Sequence, residues 1–194
     1  MAPVSLVLAS ASPRRAMLLE QIGVPFSVRI PQVDETPCSG EAPGSYVERL
    51  AGNKAQAVAR AGDLTLAADT VVVLDGEILG KPDGRDNAIG LLERLSGRTH
   101  QVITGVAITD LSRLRSMHVV AEVTFRTIDA DEASAYWNTG EPADKAGGYG
   151  IQGIGGIFAR SINGSYSAVV GLPLMETEVL LREYGVDTWR YRNG

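Results

Sequence analysis

The first two dozen residues restrict the fold most. An apolar run, Val4 to Ala9, meets Ser10-Ala11-Ser12-Pro13-Arg14-Arg15, and an amphipathic stretch, Ala16 to Ile22, follows. That order reads as a strand, a short turn and a helix. Ser12 suits the N-cap and Pro13 the first helical position. Two arginines then fall in the first turn, at the positive end of the helix dipole, where cations are unfavourable by roughly 0.3–1 kcal/mol each. Free N–H groups, two guanidinium forks and the hydroxyls of Ser10 and Ser12 match an anion, phosphate above all. A pair of solvated surface arginines is the plainer alternative.

The alternation continues along the chain. Phe26 to Ile30 reads as a strand, and Ser45 to Ala61 repeats apolar residues at helical spacing. Leu64 to Leu74 is a long apolar strand with Asp69 and Thr70 inside it. Asp75-Gly76 signals a hairpin returning through Glu77 to Leu79. Asn87 to Leu95 reads as a helix, Thr99 to Thr109 and Met117 to Ile128 as two long strands. Asp129 to Asn138 is an acid-capped helix, Gly155 to Ile162 a strand, and Leu172 to Tyr184 a helix with Pro173 near its start. Hairpins and crossover helices together imply an α/β or α+β fold with a mixed sheet. No linker or repeat divides the chain, so residues 1–194 are expected to form a single domain, either one body or two lobes.

Composition excludes several classes. Net charge is −5, which gives no general affinity for nucleic acid or anionic membrane. One cysteine, Cys38, and two histidines, His100 and His118, rule out a disulfide framework and a Cys/His metal centre. No secretory signal or spanning stretch is present, so a cytoplasmic location is expected. Only three of the 18 basic residues are lysines, Lys54, Lys81 and Lys145, which makes their positions informative.

A carboxylate within an apolar strand, as at Asp69, is costly unless paired, hydrogen-bonded or metal-bound. The alternative is an acid capped at a strand bend. Leu79-Gly80-Lys81-Pro82 lacks the spacing and the hydroxyl of a Walker loop, and Lys81 by itself reads as solvated. Gly148 to Gly153 is formally G-x-G-x-x-G, but a Pro-containing loop precedes it and a strand is expected after it, which excludes the dinucleotide reading. A close-approach loop in which Gln152 offers a donor and an acceptor to a base edge suits it better, with a flexible surface loop as the plain alternative. Asn163 to Ser167 fits a helix start or a tight turn equally.

Taken together, Leu8 to Arg15, Ala68 to Val72, Leu79 to Pro82, Ser96-Gly97 with Thr99-His100, Asp144 to Gly153, Ile162 to Tyr166 and Val169 to Leu174 resemble the Maf nucleotide pyrophosphatases, in order and over nearly the whole chain. The resemblance implies a two-lobed Maf/ITPase-like α/β fold, with a long mixed β-sheet flanked by helices and the active site in the interlobe cleft. It implies hydrolysis of a nucleoside triphosphate between the α and β phosphates, giving the monophosphate and pyrophosphate. The glycine-rich loop resembles the branch acting on dTTP and UTP, with modified pyrimidine nucleotides as further substrates and house-cleaning of nucleotide pools as the role. Carried over by position, Asp69 is the proton acceptor and Lys54, Lys81 and Glu35 are catalytic. Asp34 is the neighbouring acid that competes with Glu35 for its place. Ser10, Arg14, Arg15, Thr70 and Gln152 bind substrate. Glu35 and Asp69 are hard oxygen ligands suited to Mg²⁺ or Mn²⁺. Asp69 as base and Asp69 as metal ligand stay hard to separate, with the base role favoured by resemblance. A homodimer is also implied. The competing readings are a nucleotide-binding regulator of cell division that needs no catalysis, and another phosphate-handling enzyme such as a kinase or phosphatase.

Overall fold

A computed structural model describes residues 5–191; Val4, included in the expected first strand, lies outside them. The elements are β1 (Ser5–Ala9), α1 (Pro13–Ile22), β2 (Phe26–Arg29), α2 (Pro43–Val58), β3 (Asp63–Leu74), β4 (Glu77–Leu79), α3 (Arg85–Leu95), β5 (Thr99–Thr109), β6 (Leu114–Phe125), α4 (Ala130–Trp137), β7 (Ala159–Asn163), α5 (Tyr166–Val170) and α6 (Leu174–Glu183). Short 3₁₀ turns cover Glu141–Asp144, Ala146–Gly148 and Ile154–Phe158. The fold is α/β. Seven strands form one mixed sheet, ordered β2-β1-β3-β5-β6-β7, with β4 on β3. β1 lies parallel to both β2 and β3, while β3–β4 and β6–β7 are antiparallel.

The chain falls into two compact units. The first comprises residues up to Asp69, Thr104–Val119 and the segment from Gly171 onward. Here β1 is buried on both faces, as parallel strands are, and α1 buries Leu18, Leu19 and Ile22. Ala9, Ala55 and Ala67 pack as a small-residue cluster that brings α2 close to the sheet. Gly105 on β5 permits a still closer approach: a Cβ there would stand 2.4 Å from the carbonyl oxygen of Val47 on α2. The second unit comprises Thr70–Ile103 and Val120–Val170. Its core joins Val72 and Leu74 of β3, Leu91, Leu92 and Leu95 of α3, Phe125, Tyr136, Tyr149 and Phe158. The hairpin turns through Asp75 and Gly76, both at positive φ, as Asp-Gly predicts.

Beyond shifts of up to three residues at element ends, the structure differs from the sequence expectation at two places. Ser12 occupies the N-cap of α1 without a side-chain cap; its own N–H donates instead to Ser10 Oγ at 3.0 Å. The strand expected from Gly155 starts only at Ala159, because the N–H groups of Ile154 and Gly155 are taken by the Glu141 carboxylate and not by a strand ladder. The segment after Asn163 resolves as a helix start, with Ser165 Oγ accepting from the Ala168 N–H at 3.2 Å. No helix among the described residues is long and apolar enough to cross a membrane.

Candidate active site

Six of the expected residues lie in the first unit. Lys54, on the buried face of α2, donates to Asp69 Oδ1 of β3 at 2.6 Å and pairs with Glu35 Oε1 at 2.6 Å. Asp69 and Lys54 are 7% and 9% exposed, whereas the Glu35 side chain is half-exposed. A buried carboxylate in an apolar strand therefore has its counter-charge, and one ammonium bridges two acids, one sunk in the sheet and one on an accessible loop. Ser10, 5% exposed, follows β1 and holds the turn into α1.

Arg15 joins the same cluster. Its Nε donates to the Gly171 carbonyl at 2.8 Å. Desolvation lowers its pKa, the attraction of Asp69 opposes this, and Arg14 and Glu35 act in opposite senses more weakly. Arg14 and Arg15 lie in the first turn of α1, which carries no acid and no side-chain cap. The cationic helix start is thus set beside two carboxylates, a distribution suited to a polyanion accompanied by a cation.

The structure also distinguishes Glu35 from Asp34. Asp34 accepts from the Thr36 N–H at 2.9 Å and from Thr36 Oγ1 at 2.6 Å, which lowers its pKa and makes it a turn former. Glu35 alone reaches Lys54. Its loop is tied down by residues that the sequence analysis does not single out. Tyr46 Oη donates to the Glu35 carbonyl at 2.7 Å. Arg49 forms a two-pronged pair with Glu41 at 2.6 Å for both contacts, and donates to the Thr36 carbonyl at 3.2 Å. Glu41 in turn accepts from the Cys38 N–H at 3.1 Å. The Arg49 hydrogen bonds hold the Glu41 carboxyl down to about 2. Helical spacing placed Tyr46 and Arg49 on α2, but nothing local joins them to a loop ten residues upstream.

Thr70, Lys81 and Gln152 belong to the second unit. Thr70 follows Asp69 on β3 and is half-buried, and Lys81 is exposed just beyond β4. Gln152 is exposed at the tip of the glycine-rich loop, in which the Gly153 N–H donates to the Gly150 carbonyl at 3.1 Å. The close backbone approach expected of these glycines is real, but its partners are the protein's own Glu141 and Tyr136. Glu141 Oε1 accepts from Tyr136 Oη at 2.6 Å and from the Gly155 N–H at 3.0 Å, and Oε2 accepts from the Ile154 N–H at 2.9 Å. Tyr136 Oη accepts from the Gly150 N–H at 3.0 Å. Burial and the Glu141 contact push the Tyr136 phenol well above its ordinary value, so it stays a donor.

No group of three or more His, Cys, Asp or Glu positioned for a metal occurs among the described residues. Glu35 and Asp69 nevertheless form a hard-oxygen pair, which is the share of ligands that Mg²⁺ takes from protein when substrate phosphates supply others.

An α/β body with a cationic helix start beside a lysine-bridged carboxylate pair defines a phosphate-ester or anhydride-handling protein. The defining pattern of the Maf-like proteins matches residues 5–184, and the chain belongs to that family. Among its relatives is the dTTP/UTP pyrophosphatase of Pseudoalteromonas atlantica, 54% identical over 182 residues, which cover 91% of this chain and 95% of that one. The dTTP/UTP pyrophosphatase of Colwellia psychrerythraea is 52% identical over 187 residues, covering 93% and 88%. That of Hahella chejuensis is 48% identical over 189 residues, covering 95% and 94%. The Staphylococcus aureus Ham1 protein, a solved structure, aligns with a TM-score of 0.45 at 19% identity over 62% of this chain and 71% of its own.

Proposed function

We propose that this chain is a dTTP/UTP pyrophosphatase. It hydrolyses the anhydride between the α and β phosphates to give the nucleoside monophosphate and pyrophosphate, with modified pyrimidine nucleotides as further substrates and cleaning of the nucleotide pool as its role. The Asp69–Lys54–Glu35 constellation beside the Arg14–Arg15 helix start carries the reading. The relatives' activity, at about half identity over nearly the full length, gives the same substrate.

In this mechanism the residues divide the work by chemistry. Arg14 and Arg15, with Lys81, neutralise phosphate oxygens, and the N–H groups at the start of α1 add donors. Ser10 and Thr70 contribute hydroxyls to substrate binding. Asp69 takes the proton of the attacking water, and Lys54 holds its carboxylate in position. Glu35 and Asp69 would hold Mg²⁺ or Mn²⁺, which supplies Lewis-acid stabilisation of the developing phosphate charge. Gln152 reads the adjacent acceptor and N–H of a thymine or uracil edge, a pattern that cytosine does not present. A regulator that only binds nucleotide would need the arginines but not a base in the sheet. A homodimer and a cytoplasmic location complete the proposal, on the family resemblance; light scattering and fractionation test them.

The decisive experiment incubates the purified protein with dTTP, UTP, CTP, ATP and GTP and separates the products. Pyrophosphate with dTMP or UMP, at kcat/KM well above the other nucleotides, is expected. Orthophosphate as the product, or a purine preference, would overturn the assignment.

A further inference from the structure

We infer that Glu141 and Tyr136 are specificity-determining positioning residues, which clasp the glycine-rich loop on both sides of Gln152 and fix the direction of its amide. The inference rests on the reading that Gln152 recognises the base. The loop Gly147–Gly156 has few side chains with which to hold itself. Six of its ten residues are glycine, each with more backbone freedom to lose than any other residue. Tyr149 anchors the first half in the core, with its Oη 2.8 Å from His100 Nε2, and around Gln152 the restraint comes from one carboxylate and one phenol outside the loop. Tyr136 Oη takes the Gly150 N–H before Gln152, and Glu141 takes the Ile154 and Gly155 N–H groups after it. The two clasping groups are joined by the Tyr136–Glu141 hydrogen bond, so the grip is one unit. Hydrogen bonds to an ionised carboxylate are the stronger kind.

The glycine pattern serves this clasp. A Cβ at Gly153 would stand 2.2 Å from Glu141 Oε2, and one at Gly155 would stand 2.5 Å from Tyr136 Oη. The carboxylate is seated in turn. Lys145 Nζ donates to the Glu141 carbonyl at 2.9 Å, and its charge helps to keep the Glu141 carboxyl ionised. Tyr136 is packed edge-on against Phe158, with ring centroids 5.1 Å apart. A motif that resembles a phosphate loop is thus an amide loop closed on an internal anion, with Gln152 at its tip.

The test is a double-mutant cycle on substrate choice. Glu141→Gln is nearly isosteric but must turn an NH₂ donor toward one of the N–H or O–H donors that it replaces acceptors for. It is expected to lower the ratio of kcat/KM for dTTP over CTP by roughly tenfold, mostly through KM for dTTP. In a Gln152→Ala background the same change should leave the ratio unmoved, because the amide it directs is gone. Tyr136→Phe, which keeps the ring packing, should shift the ratio in the same direction. An unchanged ratio in folded Glu141→Gln, or an equal loss with and without Gln152, would overturn the proposal. Amide exchange supplies a readout independent of substrate choice. Ile154 and Gly155 should exchange at least about tenfold faster in Glu141→Gln. If the wild type shows no preference for dTTP and UTP over CTP, the base-reading assignment of Gln152 fails by itself. Unaltered exchange at those two amides shows separately that there is no clasp.

Discussion

Asp69→Asn separates the chemistry of this site from its architecture. The carboxylate is 7% exposed and shares Lys54 with Glu35. Loss of a general base costs about 10²–10⁴-fold in rate, equivalent to about 2.7–5.4 kcal/mol of transition-state stabilisation. The structural cost is smaller. Breaking a buried ion pair outright costs about 3–5 kcal/mol, because a charge is left alone. Here the Asn carbonyl still accepts from Lys54, and Glu35 keeps its negative charge 2.6 Å from the same ammonium. A loss of about 1–2 kcal/mol is therefore expected. In a chain of this length that lowers Tm by about 3–6 °C. The assay is dTTP turnover under saturation, with pyrophosphate quantified, beside a thermal melt of the same preparation. Turnover reduced at least about a hundredfold in a protein that still melts cooperatively is the expected pair of results. Near-wild-type turnover would refute the proton-acceptor role, and restoration of the rate by raised Mn²⁺ alone would move Asp69 from base to ligand.

Three further outcomes follow from the geometry. Arg14→Ala should weaken triphosphate binding by about 1.5–3 kcal/mol with stability held. Arg15→Ala should also lower Tm, because it removes the Gly171 contact; equal melting of the two variants would show that contact to be idle. Tyr46→Phe frees the Glu35 loop and should reduce kcat/KM several-fold while the protein remains folded, read from initial rates with dTTP; unchanged rates would leave Tyr46 without a positioning role. His100 is 2% exposed, and burial holds its pKa down to about 4 against an ordinary 6.5. Its folded pKa is depressed, so its contribution is complete above about pH 6.5 and is lost as pH falls toward about 4, by up to about 3 kcal/mol. Melting the wild type and His100→Gln from pH 7 to 4 should show the wild type losing more; parallel curves would exclude the effect.

Much of the fold was legible because local pattern and tertiary role agree. The run Leu64 to Leu74, the Asp-Gly hairpin and the acid-capped helix at Asp129 each form where their periodicity and turn chemistry put them. Asp69 could be singled out because an acid among buried aliphatics demands a partner; Lys54, one of three scarce lysines, took its role from the family resemblance. What escaped the sequence has one cause: it depends on partners distant along the chain. The strand expected at Gly155 is displaced by a carboxylate fourteen residues earlier. Tyr46, Arg49 and Glu41 carry no local signal of a role until the Glu35 loop is folded against them. Glycines announce a close approach but not what approaches, and at Gly153 the visitor is Glu141.

The absence of a side chain at Gly105 has a consequence for how this site responds to mutation. The helix that carries Lys54 rests its backbone against that strand position, where a Cβ would fall 2.4 Å from the Val47 oxygen. Even one methyl group there must push α2 outward, and Lys54 moves with its helix. A mutational scan would therefore score Gly105 among the catalytic groups although it holds no proton, charge or ligand atom. The phenotype would be that of a misaimed ammonium, and it should be relieved by neighbours that let the helix settle back, not by restoring any functional group.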